Sequence, residues 1–214
     1  MHANNLLEIT KNFLAPDIVN KFSRDIGEST ERTQKALKSV IPALLMGIVI
    51  KGRTADGAEC LVNLVHRDGL ELKDEKSFQY TDAKYLNKGT DAVQGIFGNN
   101  LNTVVANLGD STGIQSSGIQ KMLQMAAPLV MDFLATKMKR EELGTPGLMG
   151  FLAQQNQVIS QLVPDGLVGR WQVVKEIVPN SRSPWLTIIF IVLVILAGLW
   201  WLVGMEISLY KNQL

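Results

Sequence analysis

The chain has 214 residues, 21 of them basic and 20 acidic, for a formal net charge of +1 at pH 7. This length suits one domain with a sizeable core, and the charge balance argues against a nucleic-acid-binding domain, which normally carries a basic excess. The single cysteine, Cys60, excludes an intramolecular disulfide and suits a reducing compartment.

The N-terminal part has the apolar periodicity of helices separated by stop and cap signals. Residues 1–5 have neither a basic start nor an apolar run, so we expect no secretory signal peptide. The spacing predicts a helix over residues 4–14, a second from Pro16 to a stop at Gly27, and a third from a cap at Ser29 or Thr30. The third helix is predicted to end at residue 52, and residue 54 to cap a fourth.

Charged residues are dense between positions 67 and 89, which predicts a surface connector over residues 67–89 with at most one short helix or hairpin. Helices are then predicted at 91–97 and 101–108. A long helix follows, which Ser116 or Ser117 opens and which runs to about Glu142. Thr145 is predicted to cap the next helix, with proline at residue 146 in its first turn.

Two segments indicate an internal repeat. Residues 33–44 and 119–130 share Gln, Lys, Leu and Pro at one offset, and residues 27–30 match 109–112 with a slip of four residues. We therefore expect two pseudo-repeated helical units, about 4–66 and 90–165, packed around one core as an all-α helical bundle, the head (residues 1–165). The matched prolines, Pro42 and Pro128, lie inside long helices and are expected to kink them or split them in two.

The stretch from residue 184 to residue 205 carries no charge. As a helix it would be roughly 33 Å long, about the thickness of the hydrocarbon core of a bilayer. Tryptophans stand near both ends, as in an aromatic belt. We predict a C-terminal transmembrane helix over 184–205. Its defining residues are Pro184, Trp185, Phe190, Gly198, Trp200, Trp201 and Met205.

The charges beside this stretch predict the orientation. The preceding segment, residues 166–183, includes Arg170, Lys175 and Arg182, whereas the tail, residues 206–214, has only Lys211. By the positive-inside rule, the N-terminal head is predicted to be cytoplasmic and the protein to be single-pass. Residues 166–183 are predicted to be a juxtamembrane segment that packs either on the head or on lipid headgroups.

Reactive residues are present without the partners that chemistry requires. His66 precedes an Arg-Asp pair like that of a kinase catalytic loop, but no glycine-rich loop or metal-binding triplet accompanies it. His66 and Cys60 are too few to bind a metal. Asp110 and Ser111 follow a glycine and are interpreted as helix-capping residues. We predict no catalytic, cofactor or metal site and no small-molecule substrate.

Two clusters in the long helix of the second unit have alternative interpretations. Its four methionines are predicted to be core, with an adaptable partner groove as the alternative. They are Met122, Met125, Met131 and Met138. The basic cluster Lys137, Lys139 and Arg140 precedes two glutamates and is predicted to be a solvated helix end.

Several of these motifs together resemble a known bacterial family. The segments 5–9, 14–18 and 33–45, followed by Gly95-Ile96-Phe97-Gly98 and the helix with Pro128, are similar to the YidB-like family, a domain of unknown function. The likeness covers roughly residues 4–165. It implies an all-helical bundle with homeodomain-like packing and supplies no catalytic or binding residue. Some similar members continue past a transmembrane helix into an OmpA-like peptidoglycan-binding domain.

These observations favour a non-catalytic protein of the bacterial inner membrane. We expect it to act as an interaction or scaffolding module that assembles with itself or with a membrane-associated partner. Anchoring in the bilayer would raise the effective concentration of the heads. The alternatives are a nucleic-acid-binding module, which the neutral charge disfavours, a cell-envelope linking protein, and an enzyme acting on lipid or envelope precursors, which the polar residues disfavour.

Overall fold

The computed structural model describes residues 5–67 and 83–163, and within these two ranges every regular element is helical. The all-α prediction is thereby confirmed. The predicted juxtamembrane segment, the transmembrane helix over 184–205 and the tail lie outside the described residues. In chain order, the elements are α1 (Leu6–Phe13), α2 (Pro16–Ile26), α3 (Thr30–Lys51), α4 (Ala55–Arg67), α5 (Ala83–Phe97), a 3-10 turn (Gly98–Asn100), α6 (Leu101–Thr112), α7 (Ser116–Arg140) and α8 (Thr145–Ser160).

Helix boundaries in the first unit follow the local signals in the sequence. Gly27 ends α2 in the left-handed conformation, with φ of 73°, which glycine adopts without a steric penalty. The Ser29 hydroxyl accepts a hydrogen bond from the backbone N–H of Arg32 and so caps α3. The Thr54 hydroxyl accepts from the N–H of Gly57 in the same way before α4. These predicted stops and caps are confirmed.

Two predicted boundaries in the second unit are wrong. The α5 helix begins at Ala83 rather than at residue 91, so the last residues of the predicted connector are helical. Lys84 is exposed and Lys88 is half-buried, whereas Tyr85 faces the core and is 4% exposed. Thr145 is not a cap, because it is the first residue of α8 and Gly144 precedes it as the N-cap.

Neither interior proline splits its helix. Both α3 and α7 continue without interruption through Pro42 and Pro128, so that part of the prediction is wrong. Both prolines are buried, and packing on all sides offsets the loss of one hydrogen bond. The expected kink at each proline stays a prediction.

The structure corrects the alignment of the two matched segments. Gly109 lies inside α6, and the residue that ends this helix is Gly113, with φ of 71°. Three pairs of equivalent positions are therefore each 86 residues apart: Gly27 and Gly113, the first residues of α3 and α7, and Pro42 and Pro128. The slip of four residues disappears.

The two glycine corners are joined by basic side chains from the long helices. Arg32 of α3 donates a hydrogen bond to the carbonyl oxygen of Gly113 at 2.7 Å. Lys121 of α7 donates to the carbonyl oxygen of Asp25, near the end of α2, at 2.6 Å. Cations stabilise the carbonyl ends of helices, so each long helix caps the short helix of the other unit.

The described helices share one hydrophobic core, to which α1 to α8 all contribute. Among the described helices, only α3 is long and apolar enough to cross a membrane. However, 72% of its most apolar window is buried inside the fold, which is the behaviour of a core helix. Its fully buried residues include Leu37, Ile41 and Leu44.

A buried hydroxyl near the start of α3 gives a first prediction. Within residues 5–67 and 83–163, the Thr33 hydroxyl is fully buried and has no hydrogen-bond partner. Replacing Thr33 with valine keeps the shape and removes the unsatisfied group, so we expect the free energy of unfolding to rise by about 1 kcal/mol. Urea denaturation followed by circular dichroism measures this, with Thr33→Ser as the control that keeps the hydroxyl. A loss of stability in Thr33→Val would contradict the prediction.

Candidate interaction surface

The residues with reactive side chains do not form a site. His66 is exposed near the end of α4, whereas Cys60 is half-buried with its sulfur 4.0 Å from the Gly95 carbonyl oxygen. Asp110 and Ser111 lie within α6 rather than at its cap, and the Ser111 hydroxyl donates to a carbonyl of its own helix. Within the described ranges, no three His, Cys, Asp or Glu side chains are placed to hold a metal ion.

The methionines of α7 are core residues. Their exposed fractions are 0% for Met122 and Met125, 3% for Met131 and 6% for Met138. A surface groove for a partner is therefore not built from these side chains, and the interpretation of the four methionines as core is confirmed.

Helix α5 covers the backbone of α7 beside Pro128. Since proline has no N–H, the carbonyl of Gln124, four residues earlier, lacks its usual donor. Gly89 of α5 packs directly on this carbonyl, so closely that an added Cβ would lie 1.9 Å from the oxygen. The Tyr85 hydroxyl donates to the next carbonyl, that of Met125, at 2.7 Å. The result is a close contact between α5 and the turn of α7 that precedes Pro128.

The end of α7 is attached to α8 through Lys137. This residue is only 9% exposed, so its predicted place in a solvated helix end is wrong, whereas Lys139 and Arg140 are exposed as predicted. The Lys137 ammonium group forms an ion pair with Glu141 and lies 4.9 Å from the ring centroid of Phe151 on α8. A desolvated ammonium group over an aromatic face gains a cation–π interaction, which fixes α8 against α7.

This cluster predicts an acid sensitivity. The hydrogen bond from Lys137 lowers the pKa of the Glu141 carboxyl below its ordinary value of 4.5, and Arg140 acts in the same direction. A lowered pKa means that the folded head binds this proton less readily than the unfolded chain. The stabilisation is therefore present above about pH 4.5 and is lost as the pH falls through the lowered pKa.

Glu141→Gln is accordingly expected to flatten the dependence of the melting temperature on pH below pH 4.5. Thermal melts of the wild type and the variant are compared between about pH 3 and pH 7, a range that includes the titration of carboxylates. Glu142→Gln, at the neighbouring position, serves as the control. Parallel curves for the wild type and Glu141→Gln would contradict the prediction.

The outer face of α8 differs from the rest of the described surface. The helix is anchored on both sides: Gln155 accepts a hydrogen bond from the backbone N–H of Leu6 at 3.4 Å, and Asn156 accepts one from Arg53 at 2.9 Å. Its exposed residues recur every three or four positions and form one continuous stripe. We call this stripe the α8 face; it consists of Pro146, Gly150, Ala153, Gln154, Gln157 and Val158.

The α8 face carries no charge. Among the described α-helices, α8 alone lacks any acidic or basic residue, whereas α1 to α7 each contain at least one. Val158, which is 40% exposed, is the only large hydrophobic side chain that is strongly exposed within the described ranges. An uncharged, partly apolar stripe on a rigid helix is the best candidate for an interaction surface on this part of the chain.

The sequence alone did not single out the α8 face. Glutamine and asparagine are common surface residues, so the run at residues 154–157 attracts no notice in the sequence. Only the structure shows that Gln155 and Asn156 bond to the rest of the fold, whereas Gln154 and Gln157 are exposed. The signal that was available is the absence of charge over the whole of α8, a feature that its regular apolar spacing obscured.

The described part of the chain is thus an all-α bundle with an uncharged, exposed face on α8, and no group of three potential metal ligands is found among its described residues. A family of bacterial proteins of unknown function (DUF937) matches residues 8–137, which include most of α1, all of α2 to α6 and most of α7. Because the match covers more than half of the chain, the protein belongs to this family. No curated protein and no solved structure matches it. The α8 face lies outside the matched residues.

Proposed function

We propose that the protein is a non-catalytic, membrane-anchored interaction module of the bacterial inner membrane, a YidB-like member of its family. In this proposal, residues 184–205 span the bilayer and the head gathers copies of itself or a membrane-associated partner at the membrane surface. In this proposal, the two predicted helical units, whose end glycines Gly27 and Gly113 are 86 residues apart, together form the head that presents the interaction surface.

One observation carries the anchorage. The run over residues 184–205 has no charged residue and is long enough, at roughly 33 Å as a helix, to cross the hydrocarbon core. Trp185 and the Trp200-Trp201 pair stand where interfacial aromatic residues are expected. A soluble helix of this length normally has a polar face, which this sequence lacks.

The α8 face supports the interaction role. It is the one uncharged helix surface of the described residues, and it belongs to the last described helix before the proposed span. A contact made there would be weak for a freely diffusing protein. Confinement to a membrane plane raises the effective concentration of the heads, so that a weak contact suffices for assembly.

Crosslinking in native membranes tests the proposal. Cells that express the full chain are treated with a membrane-permeant, lysine-reactive crosslinker, and the products are separated by size and identified by mass spectrometry. We expect dimers or larger assemblies of this chain, or a defined membrane protein bound to it. A chain that stays monomeric at every expression level would contradict the proposal, and bound nucleic acid that is released by salt would favour the nucleic-acid-binding alternative instead.

The orientation is tested separately. Protease added to intact spheroplasts is expected to leave the head undigested, because the proposed topology places it in the cytoplasm. Opening the spheroplasts by osmotic lysis supplies the control, in which the same protease should digest the head. Digestion of the head in intact spheroplasts would contradict the cytoplasmic placement.

A further inference from the structure

We propose that the α8 face is the contact through which two copies of this chain associate in the membrane; this inference rests on the proposed anchorage. The first argument is electrostatic. In a two-fold contact, each residue near the axis meets a copy of itself, so any charge there faces a like charge. The α8 face is free of charge from Pro146 to Val158, so two copies can meet there without repulsion between like charges.

The polar residues of the face are suited to a copy of themselves. Gln154 and Gln157 are both exposed. An amide group both donates and accepts, so two such groups can pair across a two-fold axis. Val158 adds the one strongly exposed large hydrophobic side chain of the described residues.

The smallest side chains lie in the middle of the stripe. Gly150 and Ala153 are both exposed, and a Cβ added at Gly150 would meet no atom within 4 Å. Nothing in the head itself therefore requires glycine at this position. Small residues one turn apart allow two helix backbones to approach closely, which places the crossing point of the paired helices near Gly150 to Gln154.

The size of the surface explains why confinement matters. A helix of the length of α8 is about 24 Å long, and one face of it offers a few hundred Å². This is well below the ~800 Å² per partner of a stable complex. The inferred contact is therefore too small to hold heads together in dilute solution, but it can assemble heads that share a membrane plane.

A charge-swap experiment with a cysteine reporter tests the inference. In the full chain, Cys60→Ser removes the native thiol and Ala153→Cys places a reporter on the α8 face. Disulfide formation is then induced in native membranes with copper phenanthroline. We expect disulfide-linked dimers. Adding Gln154→Glu, or Gln154→Lys, is expected to lower the dimer fraction about tenfold, because like charges then meet across the axis.

Co-expression of the Gln154→Glu and Gln154→Lys chains is expected to restore the dimer, because opposite charges now face each other. The matched control is Gln94→Glu, an exposed glutamine on α5, which should leave the dimer fraction unchanged. An unchanged dimer fraction in both Gln154 variants, or no recovery on co-expression, would overturn the assignment to α8.

The outcomes separate the two proposals. If dimers form with the lysine-reactive crosslinker but Ala153→Cys gives no disulfide, the α8 assignment fails and the proposed function stands. If no assembly with any protein forms by either method, or if the chain is absent from the membrane fraction, both fail.

Discussion

Gly89→Ala is expected to destabilise the head by about 3 kcal/mol, against the normal trend for a helix. Alanine usually stabilises a helix interior relative to glycine by about 0.5–1 kcal/mol. At Gly89, however, the new methyl group would lie 1.9 Å from the carbonyl oxygen of Gln124 and 2.7 Å from its carbon. These are backbone atoms of a buried helix and cannot rotate away, so α5 must shift from α7.

Gly89→Ala is also expected to break hydrogen bonds between α5 and α7. Moving α5 away from α7 would break the hydrogen bond from Tyr85 to the Met125 carbonyl and that from Gln124 to Thr90. It would also expose the carbonyl that Pro128 leaves without an intrahelical donor. Urea denaturation of the detergent-solubilised full chain, followed by the helical signal in far-ultraviolet circular dichroism, measures the loss of stability.

Gly150→Ala is the matched control, since it is also a glycine-to-alanine change in a helix interior. A Cβ at Gly150 meets nothing within 4 Å, so this variant is expected to gain about 0.5–1 kcal/mol. Opposite signs for the two variants are the expected result. Equal stability of Gly89→Ala and the wild type would show that α5 does not approach α7 as closely as described.

Phe22→Ala is expected to lower the free energy of unfolding by about 3–5 kcal/mol. The Phe22 ring is fully buried in α2 and meets Phe13 of α1 edge to face, with centroids 6.2 Å apart and an interplanar angle of 88°. Truncation removes this contact and leaves a cavity between α1, α2 and the core. A loss of this size is a large fraction of the stability of an ordinary domain.

The same denaturation experiment measures the effect, with Val158→Ala as the exposed control. Val158 is 40% exposed, so its truncation is expected to cost less than about 1 kcal/mol. If Phe22→Ala lost no more than the control, the described packing of α1 on α2 would be wrong.

Local signals in the sequence predicted most helix boundaries because the residues that stop and cap helices act within one turn. Gly27, Ser29 and Thr54 perform the capping roles that their types and positions indicate. The start of α5 was missed because Lys84 and Lys88 dominate its composition, and the burial of Tyr85 against α7 depends on a tertiary contact. Burial of Lys137 over Phe151 was missed for the same reason.

The candidate surface depends on tertiary structure even more strongly. The apolar spacing of α8 predicts its inner face through Leu148, Phe151 and Leu152. It does not show that Gln155 is bonded to α1 and Asn156 to the corner between α3 and α4, whereas Gln154 and Gln157 face outward. That division comes from the position of α1 and of the α3–α4 corner beside α8. The sequence predicted a pseudo-repeat with a slip of four residues, and the constant separation of 86 residues became apparent only from the end of α6 at Gly113.

Carbonate extraction of membranes from cells that express the full chain tests the central claim, anchorage through residues 184–205, most directly. The account predicts that the protein stays in the membrane pellet at alkaline pH. It also predicts that a Val192→Lys and Leu196→Lys double variant is released, since each charge at the centre of a span costs about 2.5–3.5 kcal/mol. Recovery of the unaltered chain in the soluble fraction would contradict the account.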